Sequence, residues 1–272
     1  MRPTRSNLIA LIILFIISGA SLGYLFYAPE PLTPSSEYLK LRTQANSGDP
    51  MSEMTLGTRL ILFSENTQEG LYWMRKSSDH GNPIAQCFLG VAYMEGDNVE
   101  KDTAKGIAYY RLAAAQGYGP AQSRLGRCYT FGEGVEKDPK EALSWFRLAA
   151  TQGDEISMGF IGSMYFYGVC VEQDSTQAYK WFRDSAELGH SPAQYYLADL
   201  LSRGDGCIKD EVEAYAWYKI VADDDPDAVK KLNELRKKID AEQISDAMKR
   251  VAILKSGIAS ALKKQQETLF PK

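Results

Sequence analysis

The residues that decide the fold are Ala121–Gly153, which read AQSRLGRCYTFGEGVEKDPKEALSWFRLAATQG. Similar sequence stands on both sides of this stretch, and equivalent positions are 36 residues apart. Three columns keep this step: Gly90, Gly126 and Gly162; Trp73, Tyr109, Trp145, Trp181 and Trp217; Gly81, Gly117, Gly153 and Gly189. A fixed period of this size is typical of an array of stacked repeats, each of which packs only on its neighbours.

Each repeat is predicted to contain two helices joined by a glycine-rich turn. The first helix has apolar residues at i, i+4 and i+8, on one helical face: Ala121, Leu125 and Tyr129. The second helix is predicted to begin after Asp138, an N-cap residue followed by Pro139, and to end at Gly153. Other repeats have an aspartate in the same N-cap column: Asp102, Asp174 and Asp210. Glycines and alanines in register inside the helices indicate close helix–helix contact.

The chain is predicted to have four parts. These are a transmembrane anchor or signal peptide (1–30), a linker with an N-terminal capping helix (31–50), five repeats (51–226), and C-terminal capping helices with a tail (227–272). Irregular end units are expected because a stack must cover both of its ends. The expected fold class is therefore all-α, an α-solenoid of 36-residue helix-turn-helix repeats with capping helices at both ends.

The N-terminal segment is strongly apolar. Leu8–Tyr27 has 20 residues without a charge, which is enough for a helix across a bilayer core. Arg2 and Arg5 precede it, so the positive-inside rule leaves the N-terminus in the cytoplasm and exports the rest. Signal-peptide cleavage after Ala20 is the alternative. Both interpretations predict localisation in the bacterial periplasm, tethered to the inner membrane through residues 8–27 or soluble after cleavage.

The repeat consensus is A-x-x-x-L-G-x-x-Y-x-x-G-x-G-V-x-x-D-x-x-x-A-x-x-W-F-x-x-A-A-x-x-G. It closely resembles the Sel-like repeat (SLR) family, which is related to tetratricopeptide repeats, and the resemblance covers Glu37–Asp225. It implies a right-handed α-solenoid whose first helices line a concave face used for binding proteins. Ala198 in place of glycine and Leu201 in place of tyrosine indicate that the fifth repeat packs a little differently.

Candidate catalytic residues are sparse. The two histidines, His80 and His190, each lie beside an inter-repeat glycine and are expected to be surface turn residues. The sequence has no His/Cys/Glu set with metal-ligand spacing and no serine-elbow motif. We therefore predict a non-enzymatic protein without catalytic residues, cofactor, metal or small-molecule substrate. A hydrolase or β-lactam-binding enzyme of the cysteine-rich branch of the family is the alternative, disfavoured because this chain lacks a cysteine pair in each repeat.

Two of the four cysteines are candidates for a disulfide. Cys170 and Cys207 lie in equivalent turns of adjacent repeats, one column out of register. Stacked repeats lie about 10 Å apart, whereas a disulfide needs Cα atoms within about 7 Å. Pairing therefore requires a flexible loop, and two thiols are the alternative.

Charge is divided unevenly along the chain, which has 31 basic and 35 acidic residues. Residues 227–272 carry 11 basic and 6 acidic residues, whereas residues 31–226 carry 18 basic and 28 acidic residues, a net charge of −10. This acidic balance disfavours nucleic acid, whose phosphates would be repelled. It suits a basic protein partner, and plain solubility is the alternative explanation.

The binding surface is expected among first-helix residues that the period does not explain. Aromatic residues and arginines dominate interface energetics, and six are predicted to bind protein: Arg124, Arg127, Phe131, Phe166, Tyr167 and Tyr195. Phe160 and Tyr196 are assigned to packing between helices.

The resemblance also suggests a specific function. Exported SLR proteins are similar to immunity proteins that neutralise phospholipase effectors of type VI secretion, and this chain is predicted to bind and block such a toxin in the periplasm. An adaptor for a cell-envelope or exopolysaccharide complex is the alternative.

Overall fold

A computed structural model describes residues 36–63 and 66–269 of the chain. Within those ranges it contains thirteen α-helices and no β-strand, which confirms the predicted all-α fold. The helices are α1 Ser36–Asn46, α2 Pro50–Phe63, α3 Thr67–Asp79, α4 Pro83–Glu95, α5 Thr103–Ala115, α6 Gly119–Phe131, α7 Pro139–Ala150, α8 Glu155–Tyr167, α9 Ser175–Glu187, α10 Ser191–Arg203, α11 Glu211–Val221, α12 Pro226–Leu235 and α13 Ala241–Leu269.

The helices belong to two compact units, which divide between Asp138 and Pro139. In the first unit the pairs α2/α3 and α4/α5 make the most extensive contacts, and α1 packs on α2. In the second unit the pairs α8/α9 and α10/α11 do the same, and α9 also packs on α10. Within each unit, successive helices of the repeats therefore pack on one another, as an α-solenoid of helix-turn-helix repeats requires.

Three of the four predicted aspartate caps are confirmed. The Oδ1 atoms accept hydrogen bonds from backbone N–H groups three residues ahead: Asp102 from Lys105 (3.0 Å), Asp174 from Gln177 (3.0 Å) and Asp210 from Glu213 (2.8 Å). The first helices end on glycine in the left-handed conformation, as Gly132 with φ of 77° shows for α6. The end of a repeat's first helix and the start of its second are thus fixed by residues local to them.

The helical glycines mark close contact between the two helices of a repeat. A Cβ atom on Gly90 would lie 2.5 Å from Cδ1 of Tyr110, and one on Gly162 would lie 2.7 Å from Cδ1 of Phe182. Real Cβ atoms do not approach other heavy atoms so closely, so an aromatic ring of the second helix occupies the space that a side chain would need. This confirms the contact that the register of small residues predicts.

A column of buried glutamines links successive repeats, and the sequence analysis missed it. Each side-chain amide donates to a main-chain carbonyl near the end of the preceding second helix: Gln86 to Ser78 (3.3 Å), Gln122 to Ala114 (3.3 Å) and Gln194 to Ala186 (3.0 Å). The carbonyls at a helix end lack a partner within the helix. Each of these carbonyls also accepts from the N–H of an inter-repeat glycine, so the glutamine adds a second hydrogen bond that ties the helix end to the next repeat.

In the first repeat a glutamate, Glu53, occupies this column. Its side chain is fully buried, with Oε1 3.2 Å from Nζ of Lys76 and Oε2 2.7 Å from Nδ1 of His80. A carboxylate cannot donate to a carbonyl as an amide does. Lys76 of α3 and His80 at its C-cap contact the two oxygens of this carboxylate instead.

Two helices follow the last repeat. Helix α12 packs on α11, and α13 packs mainly on α11 and more lightly on α9. Nη1 of Arg250 on α13 lies 3.0 Å from Oδ2 of Asp210 and 3.7 Å from Oε2 of Glu213. Burial acts to raise the pKa of Asp210, but the N–H of Glu213 and the Arg250 guanidinium together hold it below its usual value. This contact fixes α13 on the second helix of the fifth repeat.

The predicted localisation needs correction. A membrane-spanning helix requires about 20 consecutive, predominantly apolar residues, and no helix in 36–63 or 66–269 combines that length with that apolarity. Residues 8–27 and the cleavage position after Ala20, on which the prediction depended, lie outside the described residues. The prediction of a periplasmic protein tethered to the inner membrane is therefore wrong for the described chain.

Candidate protein-binding surface

Four aromatic side chains lie together on α8 and α10, the first helices of two successive repeats. We call them the aromatic surface: Phe166, Tyr167, Tyr195 and Tyr196. The centroid of the Phe166 ring lies 4.8 Å from that of Tyr167 and 5.7 Å from that of Tyr196, and Tyr195 lies 5.8 Å from Tyr196. The phenol oxygens of Tyr167 and Tyr196 are 3.0 Å apart and share a hydrogen bond.

The second helices hold this surface in place. Tyr196 stacks on Phe182 of α9, with centroids 5.1 Å apart and an angle of 11° between the rings. Tyr195 packs edge to face on Tyr218 of α11 at 5.5 Å. Phe182 and Tyr218 are fully buried, so two of the four surface rings rest on fixed core residues.

The aromatic surface is partly open to solvent. The Tyr167 side chain is 58% exposed, and Phe166, Tyr195 and Tyr196 are half-buried. Such rings offer a partner a large apolar area at little cost in side-chain entropy, because their own contacts already restrict their rotamers. The arrangement is suited to binding another protein.

Charged residues adjoin the rings. Asp199 of α10, only 16% exposed, accepts a hydrogen bond from Nη2 of Arg203 at 2.5 Å. It also accepts one from the Tyr218 hydroxyl at 3.3 Å and lies 3.7 Å from Nζ of Lys231. The Arg203 guanidinium lies 5.9 Å from the centroid of the Phe166 ring. Asp199 and Arg203 were not singled out from the sequence, although both occupy variable columns of a first helix.

The pKa values of two tyrosine hydroxyls of this surface are raised by their surroundings. Burial raises the pKa of Tyr195, and the carboxylates of Asp199, Asp225, Asp227 and Glu234 raise it further. The hydrogen bond with Tyr167 is the largest cause that raises the pKa of Tyr196 to about 12, followed by burial. Both hydroxyls therefore stay protonated at neutral pH and can donate hydrogen bonds, in a negative local field.

The structure brings together three of the six predicted binding residues, Phe166, Tyr167 and Tyr195. The other three belong to the first unit, where Arg127 is exposed on α6 and Phe131 is 56% exposed at its end. Arg124 is turned inwards, with its guanidinium 5.9 Å from the centroid of the Tyr110 ring. Burial raises the pKa of the Cys87 thiol to about 11, and Arg124 beside it acts in the opposite direction.

The residues assigned to packing do pack. Phe160 stacks on Phe146 with centroids 4.7 Å apart, and Tyr196 stacks on Phe182 as described above. Tyr196 nevertheless contributes its hydroxyl to the aromatic surface, so its role is not packing alone.

The candidate disulfide residues lie in separate surroundings, and the structure holds both as thiols. Cys170 has a φ of 56°, and its Sγ donates to the Pro139 carbonyl oxygen at 3.3 Å. Cys207 lines an open cavity of about 460 Å³ with Tyr179 and Arg183. Burial raises the pKa of the Cys207 thiol, and Asp205 adds to this effect. Pairing of the two cysteines stays a prediction.

His80 is an exposed turn residue, as expected, whereas His190 is half-buried. His80 is the C-cap of α3 and pairs with the buried Glu53. His190 precedes α10, and its Nδ1 lies 3.1 Å from Oγ of Ser185, which itself donates to the Glu155 carbonyl at 2.6 Å. Burial lowers the pKa of His190. Across 36–63 and 66–269, no group of three or more histidine, cysteine, aspartate or glutamate residues could hold a metal ion.

The comparisons with known proteins agree with this fold. The Sel1 repeat model matches the chain five times, over residues 62–82, 83–118, 119–154, 156–190 and 191–225, which is more than half of its length. No functionally curated protein matches the sequence.

Solved structures with Sel1 repeats are also similar. A protective antigen with an SLR fold from uropathogenic Escherichia coli is 29% identical, with a TM-score of 0.74 over 88% of this chain and 53% of its own. The chain thus spans about half the length of that protein. A Sel1 repeat protein from Oxalobacter formigenes is 26% identical, with a TM-score of 0.65 over 78% of this chain and 98% of its own.

An immunity protein from Pseudomonas aeruginosa, Pa5087, is 19% identical, with a TM-score of 0.43 over 86% of this chain and 83% of its own, a likeness too low to bear on function. The five matched repeats and the helix pairs that they form lead to one conclusion: the chain belongs to the Sel1 repeat family.

Proposed function

We propose that this chain is a binding scaffold that takes a protein partner on the aromatic surface of α8 and α10. Sel1 repeats generally mediate protein–protein interactions, and proteins of this family are typically non-catalytic scaffolds. The observation that carries the proposal is the group of four adjoining aromatic rings, of which Tyr167 is 58% exposed although the rings beside it rest on the core.

The anchoring of the rings supports this proposal. A ring that moves freely loses conformational entropy when a partner orders it, whereas a ring already held by its neighbours loses little. Tyr195 and Tyr196 are held by Tyr218 and Phe182, and Tyr167 is held by its hydrogen bond to Tyr196. Aromatic side chains fixed in this way are common hot spots of protein interfaces.

The test is capture of partners from an extract of the native organism by the full chain. Tyr167→Ala is expected to lose the captured protein, because it removes the most exposed ring of the surface. Tyr72→Ala is the matched control, since Tyr72 is 55% exposed but lies on α3. Equal capture by the wild-type chain and the Tyr167 variant would refute the assignment of the surface.

As to the kind of partner, we propose a phospholipase effector of type VI secretion, which the chain would bind and block as an immunity protein. This step rests on the resemblance of the repeat consensus to such immunity proteins. Blocking a toxin requires only that the scaffold cover the toxin's active site, which a rigid surface with fixed aromatic anchors could do. The alternative partner is a component of a cell-envelope or exopolysaccharide complex.

An inhibition assay separates these partners. The purified chain, titrated into a phospholipase effector from the same genome, is expected to abolish lipid hydrolysis near equimolar ratio. The variant Tyr195→Ala is expected to inhibit less, since Tyr195 belongs to the aromatic surface. Full phospholipase activity in the presence of excess wild-type chain would exclude the immunity function and leave the scaffold function standing.

A further inference from the structure

The Arg203 side chain occupies a site with the shape and charge of a guanidinium receptor. Its Nη2 lies 2.5 Å from Oδ2 of Asp199, and its Nε lies 3.2 Å from Oδ2 of Asp205. Its guanidinium carbon lies 5.9 Å from the centroid of the Phe166 ring. Two carboxylates and one aromatic face are the groups that bind a planar cation best.

We propose that this site receives an arginine from a basic segment of the protein partner, and that Arg203 fills it as a placeholder while the partner is absent. The inference rests on the proposed function, since it specifies how the aromatic surface recognises its partner. It concerns three groups of this chain, which are Asp199, Asp205 and the ring of Phe166.

The charge around the site favours binding of a cation from the partner. The carboxylates of Asp199, Asp225, Asp227 and Glu234 all act on the hydroxyl of Tyr195, and Asp205 faces the site from the turn after α10. The cations of this chain that contact Asp199 are Arg203 and Lys231. Carboxylates of several elements thus act on the aromatic surface beside this site, so a basic segment gains attraction there.

The placeholder is held weakly enough to be displaced. Arg203 is the last residue of α10, and 47% of its side chain is exposed. Because about half of the Arg203 side chain already contacts solvent, its guanidinium can regain water when it leaves Asp199, and the Tyr218 hydroxyl and Lys231 still contact that carboxylate. Asp199 and Phe166 are by contrast fixed, Asp199 by the Tyr218 hydroxyl and Phe166 by the rings of Tyr167 and Tyr196. The receptor is thus preorganised and its occupant is the movable part.

The test measures binding of a fluorescent hexa-arginine peptide to the full chain by anisotropy, at about 150 mM salt, where diffuse attraction is screened. Arg203→Ala is expected to raise the affinity by about threefold to tenfold, because it empties the site. Asp199→Asn is expected to lower the affinity by about tenfold, because one charge-assisted hydrogen bond is lost. Asp184→Asn is the matched control, since it removes one exposed carboxylate from α9, away from the site.

Three results would overturn the inference. Equal affinities of the Asp184 and Asp199 variants would show diffuse attraction rather than a site. An unchanged or lower affinity of Arg203→Ala would show that Arg203 is no placeholder. Self-association that Asp199→Asn abolishes would assign the site to a second copy. Thermal melts check that the Asp199→Asn variant folds. If that variant does not fold, the affinity of the Arg203→Ala variant tests the inference by itself.

Failure of this inference is distinct from failure of the proposed function. If Asp199→Asn leaves the affinity for the peptide unchanged while Tyr167→Ala abolishes partner capture, the aromatic surface binds protein without an arginine receptor. If Asp199→Asn weakens peptide binding while Tyr167→Ala leaves partner capture unchanged, the receptor exists and the proposed surface is wrong.

Discussion

The phenol oxygens of Tyr167 and Tyr196 lie 3.0 Å apart, so a hydrogen bond joins side chains of two successive repeats. This bond is also the largest cause that raises the pKa of Tyr196 to about 12. When the Tyr196 hydroxyl is the donor, its ionisation removes the proton that forms this bond, so ionisation requires a higher pH. The relationship makes the geometry of the aromatic surface measurable in solution.

Tyr167→Phe is expected to lower the pKa of Tyr196 towards the value of about 10 that is usual for tyrosine. The ring contacts stay and only the hydroxyl is lost. Titration of tyrosine ring carbons by NMR measures the change. Tyr165→Phe is the control. It removes a hydroxyl from the same helix, but this hydroxyl bonds to Arg147 and not to Tyr196. An unchanged Tyr196 titration would show that the hydrogen bond does not persist in solution.

Gly159→Ala is expected to destabilise the fold by about 1–3 kcal/mol, as overpacking does. A Cβ at this position would lie 2.5 Å from Cε1 and Nδ1 of His190. Chemical denaturation measures the free energy of unfolding. Gly257→Ala is the matched control, since no heavy atom lies within 4 Å of its Cβ position on α13, and this change is expected to be neutral or to stabilise by up to about 1 kcal/mol.

The double variant Gly159→Ala with His190→Ala is expected to recover part of the lost stability, because it removes the ring that the new methyl group meets. Absence of any recovery would show that the cost of the alanine does not arise at His190.

The free energy of unfolding is expected to fall as the pH is lowered through the usual histidine pKa of about 6.5. Burial lowers the pKa of His190 in the folded chain, so between the two pKa values the unfolded chain binds a proton that the folded chain does not. The stabilising contribution of neutral His190 is therefore complete above the pKa that this histidine has in the unfolded chain. It is lost as the pH falls from there towards its lower pKa in the folded chain.

His190→Asn is expected to flatten this pH dependence. Asparagine occupies the same column at Asn82, where its Oδ1 caps α4 by accepting from the Ile84 N–H at 2.9 Å. Denaturation at pH values on either side of the transition compares the two chains. Equal slopes would show that His190 titrates alike in both states.

Gln194→Glu is expected to destabilise the fold by about 3 kcal/mol or more at neutral pH, because it buries a carboxylate without a basic partner. Gln194 is 3% exposed and donates to the Ala186 carbonyl. The glutamate should bind a proton more readily in the folded chain, so the defect is expected to shrink as the pH falls.

Gln194→Met is the matched control, because Met158 occupies the same column in another repeat. It should cost about 0.5–1.5 kcal/mol at every pH, since the Ala186 carbonyl loses one hydrogen bond but keeps that from the Gly189 N–H, and no charge is buried. A defect of Gln194→Glu that does not respond to pH would show that its carboxylate reaches solvent.

The sequence by itself determined the fold, because the interactions that build a repeat are local and recur every 36 residues. A cap such as Asp210 bonds to an N–H three residues ahead, and a glycine such as Gly162 leaves space for one ring of the paired helix. These features follow from helix geometry and from the register of the columns. Three of the six predicted binding residues were likewise found on one surface, because they share the exposed faces of first helices.

Only the tertiary structure decided which side chains meet across repeats. Tyr167 and Tyr196 are 29 residues apart, and their contact depends on rotamers and on the packing of α8 and α10. The same is true of Arg124, which is turned towards Tyr110 rather than outwards. The period identifies the positions that vary, but it carries no information on how their side chains pack, and the candidate site consists of those contacts.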